Sequence, residues 1–284
     1  MIKFSILIPT FNNLNYLKLA IKSIKENSKY DHEIILHINE GSDGTLGYAQ
    51  QESLTFTHSD INIGLCSAIN KAAVKISTKY VLYVHDDMYL CKNWDEILEK
   101  EIENLENDLF YLSGTNYEAR DIDNQFKPGN SPEQFKPDLF HKFCTTKKES
   151  DLQGSHWAPH IISKRLWDIV GGFSEEFDPG DGSDPDFCMK LWINNVRIFK
   201  SIDKFKVFHF GSRTTRNKKI VKNNGTKKFL LKYGFNPKFF RKYYLNGGAN
   251  SVYNGPLNEP KVSLIKSIEL FVNKIKYFYY KISS

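Results

Sequence analysis

The 284-residue sequence contains no long apolar run. A membrane-spanning helix needs ~18 to 20 consecutive apolar residues, whereas the apolar opening from Phe4 to Ile8 ends at Pro9. A secretory signal would have a longer apolar core followed by small residues. We therefore expect the N-terminus to be a buried strand and the protein to be cytoplasmic.

Cysteine is scarce, and two glycine-rich phosphate motifs are missing. Cys66, Cys91, Cys144 and Cys188 have no C-x-x-C spacing, which argues against a zinc knuckle or a disulfide scaffold and favours reduced thiols. The sequence contains no G-x-G-x-x-G, and Pro9 to Phe11 follows the first strand where a sugar-phosphate nucleotidyltransferase would have its glycine-rich loop. These absences count against a dinucleotide oxidoreductase and against a nucleotidyltransferase.

Acidic residues are also nearly absent from one end of the chain. Residues 216–284 contain 15 Lys plus Arg but only two acids, a net charge of +13, which leaves 24 basic and 31 acidic residues in the remainder. The overall composition, with 40% apolar and 25% charged residues, is that of a folded globular protein. We predict an acidic domain over residues 1–215 and a basic, mainly helical extension over residues 216–284.

The first half of the chain alternates β-rich runs with helical patterns, which is typical of βαβ units and a mostly parallel sheet. The expected strands are Phe4–Ile8, Glu33–Ile38, Leu54–Thr57 and Tyr80–Val84, and the expected helices between them are Asn15–Lys25 and Leu65–Ile76. Polar residues follow three of these strands: Thr10, the pair Asn39-Glu40, and the run from His85 to Asp87. Ligands of open α/β sheets bind at the carboxyl edge, so the pattern predicts a ligand site there.

The middle of the chain is less regular. Residues 118–153 show little periodicity and are expected to form a functional loop or a mobile lid. Beyond them, Ile161–Val170 has a helical pattern that Gly171-Gly172 ends, and Phe187–Asn194 is a second expected helix.

Three segments carry residues suited to chemistry. Adjacent carboxylates such as Asp86 and Asp87 repel each other, which favours a bound Mg²⁺ or Mn²⁺, although a solvated turn is the alternative. The acidic run Asp181, Asp184 and Asp186 lacks the order of an EF-hand loop and could equally supply turns and helix caps. His209 ends another apolar run, where a lone His is either structural or a ligand.

Taken together, these segments resemble the inverting nucleotide-sugar glycosyltransferases of family 2, which have the GT-A fold. The segments that carry the resemblance are Ser5 to Asn12, Glu33 to Ile35, Glu40 to Thr45, Asn62-Ile63-Gly64 with Ala68 and Asn70, His85-Asp86-Asp87, Gly171-Gly172-Phe173, Asp184-Pro185-Asp186 and His209. The match covers about residues 1 to 212 and depends on the order of these elements.

The resemblance implies a role for each matching residue. Residues that would contact the nucleotide sugar are Pro9, Thr10, Glu40, Asn62, Gly64, Asn70 and Asp86. Asp87 and His209 would hold a Mn²⁺ or Mg²⁺ ion at the diphosphate, and Asp184 would be the general base that deprotonates the acceptor hydroxyl. The expected donor is a nucleotide-diphosphate sugar, with UDP favoured, and the acceptor is a glycan or a lipid- or protein-linked hydroxyl.

Three positions depart from the family pattern, because His85, Asn39 and Ser183 stand where acidic residues are common. His85 and Ser183 permit an alternative in which the chain is a non-catalytic sugar-binding or scaffolding relative. In the acceptor half, Trp157 and His156 are candidates for sugar contacts, while Trp167 and Trp192 lie in helical apolar patterns and are expected in the core.

The basic extension lies outside the resemblance. Val262 to Ile282 mixes aliphatic and aromatic residues with lysines. Such a helix either lies at an anionic membrane surface, which would place the protein at the membrane's inner face, or packs its apolar side on the catalytic domain. No motif supports nucleic-acid binding.

Overall fold

The computed structural model describes residues 3–154, 157–211, 223–247 and 251–283. Its strands are β1 (Ser5–Phe11), β2 (Glu33–Asn39), β3 (Thr55–Ser59), β4 (Tyr80–Tyr83), β5 (Met88–Leu90), β6 (Phe110–Tyr117), β7 (Leu152–Gln153), β8 (His160–Ser163) and β9 (Ile198–His209). Its α-helices are α1 (Leu14–Glu26), α2 (Thr45–Gln51), α3 (Leu65–Ala73), α4 (Trp94–Glu103), α5 (Pro137–Thr146), α6 (Lys164–Val170), α7 (Ser183–Ile193), α8 (Gly225–Tyr233), α9 (Pro237–Tyr243) and α10 (Leu264–Ile282).

The strands form one sheet in the order β3-β2-β1-β4-β8-β6-β9-β5, with β7 paired to β9. β1 to β4 are mutually parallel. β8 is antiparallel to both β4 and β6, so β6 runs in the same direction as β1 to β4, and β9 is parallel to β6. Helices cover the sheet, so its central strands are buried on both faces; Phe4 to Ile8, for example, is fully buried and apolar except for Ser5. The expected α/β architecture with a mostly parallel sheet is confirmed.

The segment over residues 118–153 is more ordered than the sequence analysis expected. It contains three short 3₁₀ turns, the helix α5 and the short strand β7. Phe140 and Phe143 of α5 are buried, and Phe135 packs on Phe208 of β9. The segment therefore has more regular structure than its lack of periodicity indicated, because these aromatics anchor it on the sheet; its role as a functional loop or a mobile lid stays a prediction.

Two element boundaries also differ from expectation. Residues 160–163 form strand β8 rather than the start of a helix, and α6 begins only at Lys164, with the Ser163 hydroxyl accepting from the Leu166 N–H. α7 begins at Ser183, four residues before the expected start, because Asp184 and Asp186 occupy its first turn. Gly171 ends α6 with a positive φ of 68°, as expected.

All four cysteines are free thiols, as predicted, and Trp167 and Trp192 are core residues. No helix among the described residues is long and apolar enough to cross a membrane.

Helix α8 of the extension packs on the catalytic domain. Tyr233 at the end of α8 donates to Asp186 of α7 at 2.7 Å, and Lys232 forms an ion pair with the same carboxylate at 2.8 Å. Farther along, residue Val252 makes a bridge with Leu152 of β7. These contacts do not show where one domain ends and the next begins, so the division at residue 215 stays a prediction.

Candidate functional site

The candidate residues converge at the carboxyl edge of the sheet. β1, β2, β4 and β9 run in the same direction, so the residues that follow them share one edge. The antiparallel pairing of β5 with β9 sets His209 opposite Met88, and the Phe210 N–H donates to the Asp87 carbonyl at 3.1 Å. This register brings Asp87 and His209 together although they lie far apart in the sequence.

Asp86 is held in a fixed position by two side chains from the end of β1 and the turn after it. The Thr10 hydroxyl donates to Asp86 Oδ2 at 2.7 Å, and Asn13 Nδ2 donates to Oδ1 at 3.0 Å. Thr10 and Asp86 are both buried. The predicted pair Thr10 and Asp86 is therefore in direct contact, next to the buried Pro9 of β1, while sequence reasoning missed Asn13, whose contact depends on the fold.

Glu40 lies in a tight turn directly after β2. It has a positive φ of 59°, and its Oε2 accepts from Asn12 Nδ2 at 3.0 Å, while Asn12 Oδ1 accepts from the Gly41 N–H at 2.9 Å. The Glu40 carbonyl also interacts with His58 Nε2 at 2.8 Å. Glu40 is only partly buried, so its carboxylate is oriented by Asn12 and can still reach a ligand.

Next to Asp86 lies a group suited to a divalent cation, made of His85, Asp87 and His209. One ligand atom from each lies within 4.8 Å of the others. Asp87 Oδ1 is 3.2 Å from His209 Nε2. Burial acts to lower the pKa of His209, but the Asp87 carboxylate outweighs it, so this pKa lies above its ordinary value. The predicted metal residues Asp87 and His209 are thus neighbours, and His85 joins them.

The chemistry of His85 fits a bound cation. Burial, reinforced by neighbouring His209, lowers the pKa of His85 to about 4, so the ring is neutral near pH 7 and has a lone pair to give. Its Nε2 atom is buried without a hydrogen-bond partner among the described residues. A neutral imidazole beside a carboxylate and a second imidazole is a donor set suited to Mn²⁺ and related ions.

Asp184 lies in the first turn of α7, near two other acids, Asp181 and Asp186. It differs from them in the environment of its carboxylate. Burial raises its pKa to about 7, and its Oδ1 has no hydrogen-bond partner within the described part of the chain. Asp186 instead accepts from Ser174 at 2.6 Å and from Tyr233, and Asp181 accepts from the Gly225 N–H at 3.0 Å. These contacts make Asp181 and Asp186 structural residues and separate Asp184 from them.

Tyr83, at the end of β4, interacts electrostatically with Asp184 and with the two carboxylates that follow the strand. Burial, followed by the charge of Asp184, raises the pKa of Tyr83 well above its ordinary value, and Asp86 and Asp87 contribute in the same direction. Its ring centroid is 5.2 Å from that of His85. The phenol oxygen is another buried atom without a hydrogen-bond partner among the described residues. Sequence reasoning missed Tyr83, because it looks like the ordinary end of an apolar strand.

The segment from Asn62 to Asn70 is shaped mainly by structural contacts. Asn62 Oδ1 accepts from the Gly64 N–H at 3.0 Å, and Asp178, on a loop far along the chain, accepts from the Cys66 N–H at 2.7 Å. A Cβ atom on Gly64 would collide with the Asp178 carboxylate, so only glycine fits there. Sequence reasoning missed Asp178, because it reaches α3 only in the folded chain.

Asn70 joins α3 to the loop after α6. Its Nδ2 donates to the Phe173 carbonyl at 2.8 Å, and its Oδ1 accepts from the Phe173 N–H at 2.9 Å. A Cβ atom on Gly172 would collide with Asn70 Oδ1. Asn70 therefore positions the loop before α7, which carries Asp184, and its role in donor binding remains a prediction.

Of the two residues predicted to contact the acceptor, Trp157 and His156, the structure describes only Trp157. Trp157 is partly buried with a positive φ of 65°, and its carbonyl accepts from the Tyr111 hydroxyl at 2.9 Å. His156 lies outside the described residues. The acceptor role of both stays a prediction.

A separate cavity of about 740 Å³ lies at the opposite edge of the sheet, near the start of β1 and β4. Two pairs of polar groups in its lining contact each other: Tyr80 donates to Asp108 at 3.0 Å, and Lys3 pairs with Glu99. No candidate residue lines this cavity. The carboxyl edge is the better candidate site, because it holds buried polar atoms that have no hydrogen-bond partner within the described ranges.

The sheet and the position of the polar residues define a GT-A type α/β protein with a candidate ligand site at the carboxyl edge. The model of the family "Glycosyl transferase family 2" matches residues 5–167, more than half of the chain, and the chain belongs to this family. A curated relative, an uncharacterized glycosyltransferase of Rickettsia bellii, is 26% identical over 221 residues, which are 75% of this chain and 30% of that protein.

Two solved structures have a similar fold. The mannosyltransferase PcManGT of Pyrobaculum calidifontis, solved with GDP-Man and Mn²⁺, has a TM-score of 0.56 at 14% identity, covering 96% of this chain and 69% of that one. TarS 1-349 of S. aureus, solved with UDP-GlcNAc, has a TM-score of 0.51 at 18% identity, covering 74% and 61%. At these identities the likeness establishes the fold, and the GT-A expectation is confirmed.

Proposed function

We propose that this protein is a metal-dependent, inverting glycosyltransferase that moves a sugar from a nucleotide-diphosphate donor to a hydroxyl of a glycan or a lipid- or protein-linked acceptor. The observation that carries the proposal is a group of buried polar atoms at the carboxyl edge that find no hydrogen-bond partner in the described part of the chain, Asp184 Oδ1, Tyr83 Oη and His85 Nε2. Buried polar atoms without partners are costly unless a ligand satisfies them. Family membership specifies the kind of ligand.

On the donor side, the turns after β1, β2 and β4 supply the contacts. Glu40, oriented by Asn12, is suited to accept a hydrogen bond from a base imino N–H. Asp86, fixed by Thr10, would contact the ribose. The solved relatives that hold UDP-GlcNAc and GDP-Man support a nucleotide-sugar donor, and we favour UDP.

His85, Asp87 and His209 would hold Mn²⁺ or Mg²⁺ near the diphosphate. Such an ion neutralises the negative charge that develops on the leaving diphosphate. The Mn²⁺ bound with GDP-Man in the mannosyltransferase structure supports this assignment. The protein's own contribution is to place the nucleotide and the acceptor in line, which lowers the barrier by positioning.

Asp184 would act as the general base. Its carboxylate takes the proton of the acceptor hydroxyl while that oxygen bonds to the anomeric carbon and the bond from this carbon to the diphosphate breaks on the opposite face. This displacement inverts the anomeric configuration. A pKa of about 7 suits the role, because a base works best when its pKa lies near the working pH.

Calorimetry tests the donor site directly. UDP, GDP, dTDP and CDP are titrated with and without Mn²⁺ into the wild type, Asp87→Ala and the control Asp31→Ala, which removes an exposed carboxylate outside the site. We expect one nucleotide to bind in a Mn²⁺-dependent way, and we expect only Asp87→Ala to lose that dependence. Unchanged affinity in Asp87→Ala would remove this residue from the site, and no binding to the wild type would favour the non-catalytic relative.

A further inference from the structure

The C-terminal helix α10 turns its apolar side to solvent. The large side chains on that side are all exposed, with relative exposures from 44% to 86%: Leu264, Ile265, Ile268, Phe271, Val272, Ile275, Phe278, Tyr279 and Ile282. Single exposed apolar residues are ordinary, but a contiguous apolar surface of this kind marks an interaction site. Of the two alternatives that the sequence left open for this helix, packing of its apolar side on the catalytic domain is contradicted by these exposures.

Polar contacts hold the opposite side of α10 against the protein. Asn273 is buried, and its Oδ1 accepts from the Asn236 N–H at the start of α9, at 3.0 Å. Glu269 forms an ion pair with Lys242 of α9 at 2.5 Å. Burying Asn273 and pairing Glu269 fix the rotation of the helix, so its apolar side faces outward.

The charges on α10 flank its apolar side. At about 100° per residue, Lys274 and Lys281 fall along one border of the apolar side and Lys276 along the other. Lysine side chains in this position can reach anionic groups above the helix while their methylene stems lie on apolar surface. Glu269 is the only acid of α10, and it is paired with Lys242.

We propose that α10 binds an anionic lipid surface and lies in the membrane interface, with its apolar side among the acyl chains and its lysines at the headgroups. A second copy of the chain fits less well, because its α10 would bring lysines and no free carboxylate toward these lysines. The net charge of +13 over residues 216–284 adds a broader attraction to anionic lipid. The 19 residues of α10 span about 28 Å along the surface.

Vesicle co-sedimentation tests this proposal on the full-length protein. Vesicles of phosphatidylcholine with phosphatidylglycerol are compared with vesicles of phosphatidylcholine alone, for the wild type, Phe271→Glu, Phe278→Glu and Val74→Glu. Val74 is a matched control, because it is 78% exposed and directly follows α3, away from α10 in the sequence. All substituted residues are exposed, so circular dichroism and nucleotide affinity should match those of the wild type.

We expect the wild type to bind the anionic vesicles, with affinity that falls in high salt. Phe271→Glu and Phe278→Glu should each weaken binding by about ten-fold or more, the effect of removing one large side chain from an apolar contact. Val74→Glu should bind as the wild type does. Absence of vesicle binding, or equal binding by all variants, would overturn the proposal. A concentration-dependent dimer in sedimentation velocity that Phe271→Glu abolishes would assign the surface to a second copy instead.

Discussion

At the residue scale, Asp184 differs from its acidic neighbours because its carboxylate has been left available. Asp184→Asn should keep donor affinity and lose transfer by several orders of magnitude, since an amide cannot accept the acceptor's proton. Calorimetry and a transfer assay with the donor that binds would check this. Asp181→Asn is the control, because Asp181 is exposed and its carboxylate accepts from the Gly225 N–H at the start of α8. Retained transfer in Asp184→Asn would exclude Asp184 as the base.

The same residue predicts how activity and stability depend on pH. Its pKa is raised to about 7 by burial, so the fraction of active base and the transfer rate should rise as pH increases through about 7. A raised carboxyl pKa means that folding favours the neutral form, and this advantage is lost as pH rises from about 4 to 7. At pH 8, Asp184→Asn should therefore unfold at a higher denaturant concentration than the wild type. A flat pH profile of transfer would contradict this.

His85 predicts the metal preference of the site. Imidazole favours Mn²⁺ over the harder Mg²⁺, which prefers oxygen ligands. We expect Mn²⁺ to increase nucleotide affinity more than Mg²⁺ does in the wild type, and we expect His85→Asp to narrow this difference by about ten-fold. Calorimetry with each ion would measure it, with metal-free nucleotide affinity as the internal control. An unchanged preference would place His85 outside the metal's ligands.

The sequence predicts the residues whose chemistry is local and misses those whose role depends on distant contacts. Thr10, Glu40, Asp86 and Asp87 follow strand ends that an apolar run already identifies. Asp178 cannot be found in this way, because its partner Cys66 lies 112 positions earlier. His85 could have been predicted as a metal ligand, since it stands where the family commonly has an acidic residue and imidazole can replace a carboxylate as a ligand.

At the element scale, α3 is capped by a residue from another part of the chain. Asp178 accepts from the Cys66 N–H and from the Ser67 hydroxyl, at 2.7 and 2.6 Å. Removing a cap of this kind typically costs roughly 1 to 2 kcal/mol. We expect Asp178→Ala to lower the free energy of unfolding by this amount in urea denaturation, while Glu106→Ala, an exposed control, should change it little. Equal stability of the two variants would show that the cap contributes nothing.

The sequence predicts well those strands and helices whose apolar residues follow a single regular spacing and whose ends are marked by polar or turn residues. β1, β2 and α1 are within three residues of their expected bounds, because continuous apolar runs and i, i+3, i+4 spacing leave little choice. α5 went unrecognised although Pro137 at its first position and Phe140 and Phe143 three apart are helical signals. β8 could not be separated from α6 by periodicity, because a short apolar run fits both.

At the scale of the whole molecule, contacts connect α10 through α8 to the residues just before α7. Lys227 of α8 lies over the ring of Tyr280 in α10, with 5.2 Å to the centroid. Two residues earlier, Gly225 donates to Asp181, three positions before Asp184. α8 thus contacts both α10 and the loop just before α7, whose first turn carries the proposed base. From these contacts we propose that the acceptor side of the site lies close to the lipid surface bound by α10.

This arrangement favours an acceptor that is itself anchored in the membrane. Two acceptors with the same sugar, one lipid-linked in anionic vesicles and one on a short water-soluble group, separate membrane contact from chemistry. Phe278→Glu should reduce transfer to the lipid-linked acceptor by about ten-fold or more, because the variant loses surface binding. Transfer to the soluble acceptor should not change, since Phe278 is exposed on α10 and lies outside the candidate site. An equal loss with both acceptors would mean that the substitution disturbs the catalytic domain. No loss with either would mean that acceptor transfer does not depend on α10, even if the helix binds vesicles.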